Sequence, residues 1–227
     1  MLCDTLRSLI RSKGVSHVVE AGTCTGEGST RFLADCFAEI ARPRMFLTIE
    51  ANFKFWWRAC KNLKRYPFVE PLWGLTVNRS KAIEFIKNDD VLDNHEKIKD
   101  IYIDDIVNPK HFYLNEVSGR LGGLSAKARL ASTLLRPLFW KGEDLLRRVL
   151  TPIREYRPLI VLDSAGGIGW LEFSTVVEVM GDFEYFLLLD DIHHLKHFRS
   201  YATVRQSDKF EIQGVNESAG WMLAAHC

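Results

Sequence analysis

The sequence predicts an α/β fold: a seven-stranded, mostly parallel sheet with helices on both faces, an antiparallel C-terminal hairpin and an insertion between the third and fourth strands. Three observations predict it. Seven short apolar runs occur at 17–20, 45–50, 68–75, 159–163, 185–190, 210–215 and 221–225. Most are continuous rather than alternating, as expected for strands buried on both faces. Helical periodicities lie between the first five runs, so those strands pair in parallel through right-handed crossovers. The last two runs are separated only by Asn216-Glu217-Ser218-Ala219-Gly220, a hairpin length that makes the final pair antiparallel.

The intervening helices follow in order. Phe32, Leu33, Cys36, Phe37 and Ile40 share one apolar face, which Pro43 closes. Phe53, Trp57, Cys60 and Leu63 form a second face, and Ala82, Ile83, Phe85 and Ile86 a third. Leu171, Val176, Val177, Val179 and Met180 form a fourth, ahead of Gly181. Residues 91–157 break this rhythm and are too long for a simple crossover. They hold a candidate strand at 101–106, a glycine-containing stretch at 118–125, and a Leu- and Arg-rich segment at 126–150 interrupted by Pro137 and Gly142. We read 91–157 as a cap or interface inserted in a single domain, 1–227. Because Pro137 and Gly142 break the basic amphipathic stripe, a helix packed on the domain with solvated Arg and Lys is preferred to a membrane-surface helix.

Composition narrows the class. The 227 residues suffice for one sizeable α/β domain, and 47% apolar with 26% charged residues is ordinary for a globular protein. A net charge of +1 gives no electrostatic argument for nucleic acid. No apolar run approaches the roughly 20 residues of a membrane span, so no stable membrane insertion is expected. The N-terminal residues lack the apolar core of a signal peptide. The five cysteines (Cys3, Cys24, Cys36, Cys60, Cys227) are scattered and form no CxxC pair, which points to free thiols in a reducing, cytoplasmic setting. A homo-oligomer is left open.

The most informative segment is Val18-Val19-Glu20-Ala21-Gly22-Thr23-Cys24-Thr25-Gly26-Glu27-Gly28-Ser29-Thr30. An apolar strand ends in an acid, passes through a glycine-rich turn and enters a helix. Gly22, Gly26 and Gly28 allow a tight turn and close approach of a ligand, and Ser29 and Thr30 are candidate helix caps. This is how α/β proteins build nucleotide-type cofactor sites. The spacing Gly22-x-x-x-Gly26-x-Gly28 is shared with short-chain dehydrogenases. Those enzymes need Tyr-x-x-x-Lys, and none of the six tyrosines here has a lysine four residues on.

The pattern Glu20-Ala21-Gly22-Thr23-x-x-Gly26-x-x-Ser29-Thr30 resembles the first motif of class I S-adenosylmethionine-dependent methyltransferases, especially their O-methyltransferase branch. That resemblance implies a Rossmann-like fold ending in an antiparallel hairpin. It also implies S-adenosyl-L-methionine as cofactor, with Glu50 at the end of the second strand holding the ribose hydroxyls. A carboxylate suits that task because it accepts two charge-assisted hydrogen bonds at once. The expected cofactor-binding set is Glu20, Gly22, Thr23, Gly26, Ser29, Glu50 and Asp163. The resemblance spans about 15–90 and 157–227 and leaves out the insertion.

A second segment, Leu187-Leu188-Leu189-Asp190-Asp191-Ile192-His193-His194-Leu195-Lys196-His197, places carboxylates at the end of the fifth strand. Asp163 ends the fourth. Neighbouring strands lie about 4.8 Å apart, so Asp163, Asp190 and Asp191 are expected to converge on a hard divalent cation such as Mg²⁺. These positions resemble the metal ligands of catechol-type O-methyltransferases and of the cephalosporin-hydroxylase-like branch. One departure is clear: the family's lysine base, three residues after the first aspartate, is Gly166 here. A histidine after the acidic pair is the expected replacement, His194 first and His193 second, with His197 also near. An imidazole ligand would shift the metal toward Mn, Fe or Zn. Asp104 and Asp105 are set aside by strand counting and read as a solvated strand edge. Trp73 falls near the expected adenine seat, but its size is better explained by core packing. The implied reaction is methyl transfer to an oxygen of a small molecule or sugar. The alternatives are a non-catalytic S-adenosylmethionine-binding module and an NAD-dependent dehydrogenase.

Overall fold

The computed structural model describes residues 2–98, 101–105, 107–118, 126–164 and 166–227. Chain order runs α1 (Leu2–Lys13), β1 (His17–Ala21), α2 (Ser29–Ile40), β2 (Met45–Glu50), α3 (Phe53–Asn62), β3 (Val69–Trp73) and α4 (Arg79–Asn88). A single turn α5 (Asp90–Asp93), then α6 (Pro109–Val117), α7 (Ala126–Phe139) and α8 (Leu145–Leu150) precede β4 (Leu159–Leu162). The chain ends with α9 (Gly169–Met180), β5 (Tyr185–Asp190), α10 (Phe198–Gln206), β6 (Phe210–Asn216) and β7 (Trp221–His226).

The strands form one seven-stranded sheet in the order β3-β2-β1-β4-β5-β7-β6. β1 to β5 pair in parallel, and β7 runs antiparallel between β5 and β6. The order reverses between β1 and β4. That switch point opens a crevice at the carboxyl ends of the strands, where ligands of open α/β sheets bind.

Alternation along each strand sends side chains to two cores. On one face Val18, Phe46, Val161, Leu188 and Leu223 pack against Leu6 and Leu9 of α1, Leu33 and Phe37 of α2, and Ala59 of α3. On the other, Val19, Ile49, Ile160, Leu162, Leu187 and Met222 pack against Leu146 and Leu150 of α8, Phe173 and Val176 of α9, and Val204 of α10. Asn52 and Asn78 start α3 and α4 by accepting backbone N–H bonds in their first turns.

Three features depart from the sequence expectation. First, α1 and α10 were not anticipated. α1 buries Leu6, Leu9 and Ile10 at helical spacing, whereas α10 buries only Ser200 and Val204, a stripe too sparse to register. Second, residues 101–105 form no sheet strand. Tyr102 makes one isolated bridge, to His194, in the loop after β5. Third, the C-terminal end of the 91–157 segment is core: Leu145, Leu146, Leu150 and Ile153 are buried against the sheet. Its middle is peripheral. α7 runs through Pro137 to Phe139 and packs Ala131 and Leu135 on Phe53, Trp56 and Trp73. Ile106 and residues 119–125, most of the expected glycine stretch, lie outside the described residues. Among the described residues, no helix is long and apolar enough to cross a membrane.

Candidate cofactor site and its acidic cluster

The turn after β1 is shaped by Gly22. Its φ is +99°, and a Cβ there would overlap the main-chain carbonyl of Asp163. Gly22 and Thr23 both donate their N–H groups to the carbonyl of Ile49 (3.0 and 3.2 Å), which ties the turn to the end of β2. Gly26 (φ +72°) packs under Leu63. Gly28 is not sterically required, since a Cβ there meets open space.

Ser29 and Thr30 do not cap α2; Gly28 is its N-cap, with no side-chain bond. Both hydroxyls turn back instead to Glu20. Thr30 and Thr48 each reach Glu20 Oε2 at 2.7 Å, and Ser29 lies 2.9 Å from Oε1 and 2.7 Å from Asp163 Oδ2. Thr23 extends this network through a 2.5 Å contact with the Thr48 hydroxyl. Glu20 is 0% exposed, and burial pushes its carboxyl up to about 7 although the three hydroxyls oppose the shift. Glu20, expected among the cofactor-binding residues, has its carboxylate inside the loop, where it braces the turn. Thr23 is also buried, leaving only its backbone for a ligand.

Glu50 ends β2 in a different setting. Oε2 accepts the Cys24 N–H (2.8 Å) and Oε1 the Asn52 N–H (2.7 Å). These bonds fix the carboxylate and leave a lone pair on each oxygen. Burial pushes its pKa up to about 7, against the backbone donors. Trp73, on the adjacent strand, is a core residue. It stacks with Trp56 at 5.5 Å and donates its indole N–H to the Ala51 carbonyl (3.2 Å).

The structure brings Asp163, Asp190 and Asp191 together, with one carboxylate oxygen from each within 4.8 Å of the others. Burial, then Asp163 and Asp191, push Asp190 up to about 6. Asp191 has φ +52°, a conformation aspartate tolerates better than most residues. Asp190 and Ser29 are the polar members of a cavity of about 220 Å³ otherwise lined by Leu2, Phe32, Leu33, Val161 and Leu188.

A lysine also enters this cluster. Lys196 Nζ lies 3.0 Å from Asp163 Oδ1 and 2.9 Å from Asp191 Oδ2. Burial disfavours its charge, but the two carboxylates outweigh that and leave its pKa above the ordinary lysine value. The family's lysine position is closed for a visible reason: a Cβ on Gly166 (φ +61°) would overlap the Glu116 carboxylate and press on the Tyr113 ring.

Two of the histidines expected to supply a base, His193 and His194, are held by other partners. His193 is turned away, its Nε2 on the Glu217 carbonyl at 2.8 Å. His194 is buried with both nitrogens engaged: Nδ1 accepts the Lys196 N–H (3.1 Å), so Nε2 carries the proton donated to Asp104 Oδ2 (3.1 Å). His197 is fully buried, which lowers its pKa well below the ordinary value. Asp104, read from sequence as a solvated edge, also receives the Tyr113 hydroxyl at 3.1 Å. Glu116, from α6, faces the same region, and burial pushes its pKa up to about 7. Lys196, Asp104, Tyr113 and Glu116 thus surround the site without having been expected there. The one sequence signal for Lys196 is a lone basic residue among Ile192, Leu195 and two buried histidines.

The residues after β1 and β2 fit a nucleoside cofactor: a tight turn at the switch point beside a fixed carboxylate with acceptor capacity to spare. The acidic cluster does not fit a divalent metal as it stands, because two of its three carboxylates are bonded to Lys196.

No family model matches the chain, and neither does any curated protein. Solved structures do. A protein assigned as a caffeoyl-CoA O-methyltransferase from Staphylococcus aureus superposes with TM-score 0.50 at 15% identity, covering 100% of this chain and 83% of that one. The O-methyltransferase from Bacillus cereus, solved with S-adenosylhomocysteine, gives 0.49 at 13% identity, covering 100% and 80%. The fold is therefore the Rossmann-like fold of class I S-adenosylmethionine-dependent methyltransferases. The structures it is similar to here are described as O-methyltransferases.

Proposed function

We propose that the protein transfers the methyl group of S-adenosylmethionine to an oxygen of a small molecule or sugar, in a reducing, cytoplasmic setting consistent with its five free cysteines. One observation carries the cofactor assignment: the Glu50 carboxylate, fixed by two backbone N–H groups, stands beside the Gly22 turn at the switch point. Its remaining lone pairs accept the two ribose hydroxyls. The turn brings main chain, rather than side chains, against the ligand. When bound, the cofactor supplies an electrophilic methyl on a sulfonium.

The acceptor sits over the ends of β4 and β5. Asp190, the cluster carboxylate not bonded to Lys196, takes the acceptor hydroxyl's proton as that oxygen takes the methyl. The protein's contribution is chiefly orientation.

Calorimetry with S-adenosylmethionine, S-adenosylhomocysteine and NAD tests this reading. Glu50→Ala should weaken S-adenosylhomocysteine binding by about 10- to 100-fold, the scale of hydrogen bonds to a charged group. Binding of NAD with none of either sulfur ligand would overturn it. Tight cofactor binding without transfer to any acceptor would favour a binding module.

A further inference from the structure

We propose that Lys196 is the permanent cation of the Asp163–Asp190–Asp191 cluster, standing where a divalent metal would sit, so that the protein holds no metal there. The use of this cluster in methyl transfer rests on the reading above; the exclusion of metal does not.

The geometry supports the substitution at several points. Both contacts, 3.0 Å to the part-buried Asp163 and 2.9 Å to the exposed Asp191, are charge-assisted hydrogen bonds. A divalent ion needs its oxygens at about 2.0–2.6 Å, so it would have to compete with the ammonium for Asp163 and Asp191 and sit beside a second positive charge. Both oxygens of Asp163 are already engaged, Oδ1 by Lys196 and Oδ2 by the Ser29 hydroxyl at 2.7 Å.

The main chain of Lys196 is also held in place. The residue is 5% exposed, and its main chain presses on Gly169, where a Cβ would overlap the Lys196 carbonyl. The loop around it is pinned twice. His194 links the Lys196 N–H to Asp104, and Tyr102 exchanges main-chain bonds with His193 and Leu195, both 2.9 Å. The ammonium carries three N–H donors and spends two on aspartates. The third is left to hold the acceptor oxygen, the orienting task a metal would perform.

Mn²⁺ binding, read by electron paramagnetic resonance on chelator-treated protein, tests this directly. The wild type should leave Mn²⁺ free at concentrations up to about 1 mM, near the weak end of protein sites for hard divalent ions. Lys196→Ala should bind Mn²⁺ at least tenfold more tightly, and Asp163→Asn in that background should abolish the gain. Saturable wild-type binding that Asp163→Asn removes would overturn the proposal, and that measurement stands even where the lysine variant fails to fold. Equal absence of binding in wild type and in a folded Lys196→Ala protein would equally overturn Lys196 as the excluding group. Calorimetry with S-adenosylhomocysteine on the same samples separates the two ideas: its failure removes the methyltransferase reading and leaves the Mn²⁺ result to decide this one.

Discussion

Glu20 gives a sharp quantitative test of how the loop is built. Its carboxyl is 0% exposed and is pushed from an ordinary 4.5 up to about 7, mainly by burial. In the unfolded chain it titrates near 4.5. Between these values the unfolded state has lost the proton and the folded state keeps it, so stability must fall as pH rises. The stabilisation from this group is fully present below about 4.5 and is lost as pH passes through about 7. At about 1.4 kcal/mol per tenfold change in proton affinity, the difference comes to roughly 3 kcal/mol. Glu20→Gln mimics the protonated acid and cannot ionise. Its amide costs about 1 kcal/mol if one hydroxyl partner is lost, but that cost is the same at every pH. Urea unfolding at pH 5 and pH 8 isolates the effect. The advantage of Glu20→Gln over the wild type should grow by roughly 2–3 kcal/mol between the two pH values. Parallel stability curves for the two proteins would show that Glu20 is not held as a buried acid, and the account of it as an internal brace would fall.

Two further perturbations follow from the same geometry. Gly22→Ala must both accept a φ of +99° and push a methyl into the Asp163 carbonyl. Thermal melting should show a loss of several kcal/mol, on the order of 2–4, and an unchanged melt would mean the turn relaxes freely. Asp89, which is buried, receives both guanidinium nitrogens of Arg199, at 2.9 and 2.7 Å. Asp89→Ala leaves that cation without its partner and should cost about 3–5 kcal/mol by urea unfolding, with Arg199→Met at least as damaging because it strands the more deeply buried Asp89 carboxylate.

Much of this fold is legible in the chain because its strands are buried on both faces. Runs such as Leu159–Leu162 and Tyr185–Asp190 read as strands without any helical alternative of comparable length. The hairpin at β6–β7 follows from the short link between two such runs. The place of Glu50 at the end of β2, one strand out from the switch point, is legible too. What was hidden depends on contacts across many residues. No local pattern says that α6 packs Tyr113 and Glu116 over Gly166, yet that packing closes the expected lysine position. Asp104 was set aside correctly as a sheet residue and is exposed as expected, but its carboxylate also accepts from Tyr113 and His194. Leaving the sheet is what frees its segment to bridge the 193–196 loop.

Glu20 and Glu50 show where such reading stops and why. Each is an acid near the C-terminal end of a parallel strand, but the register sets Glu20 level with Thr48, so Glu50 stands two residues further out. The sheet order separates them. β1 is central, flanked by β2 and β4, so Glu20 points into the layer beneath α2 and meets the hydroxyls of Ser29, Thr30 and Thr48. Glu50 lies one strand outward, opposite Trp73 of β3, where only backbone donors from the loops above reach it. The first carboxylate is fully enclosed among three side-chain hydroxyls; backbone donors orient the second at the rim of the crevice and leave it able to bind. Strand position, known only once the sheet is assembled, thus decides which acid braces the turn and which is free to meet a ligand.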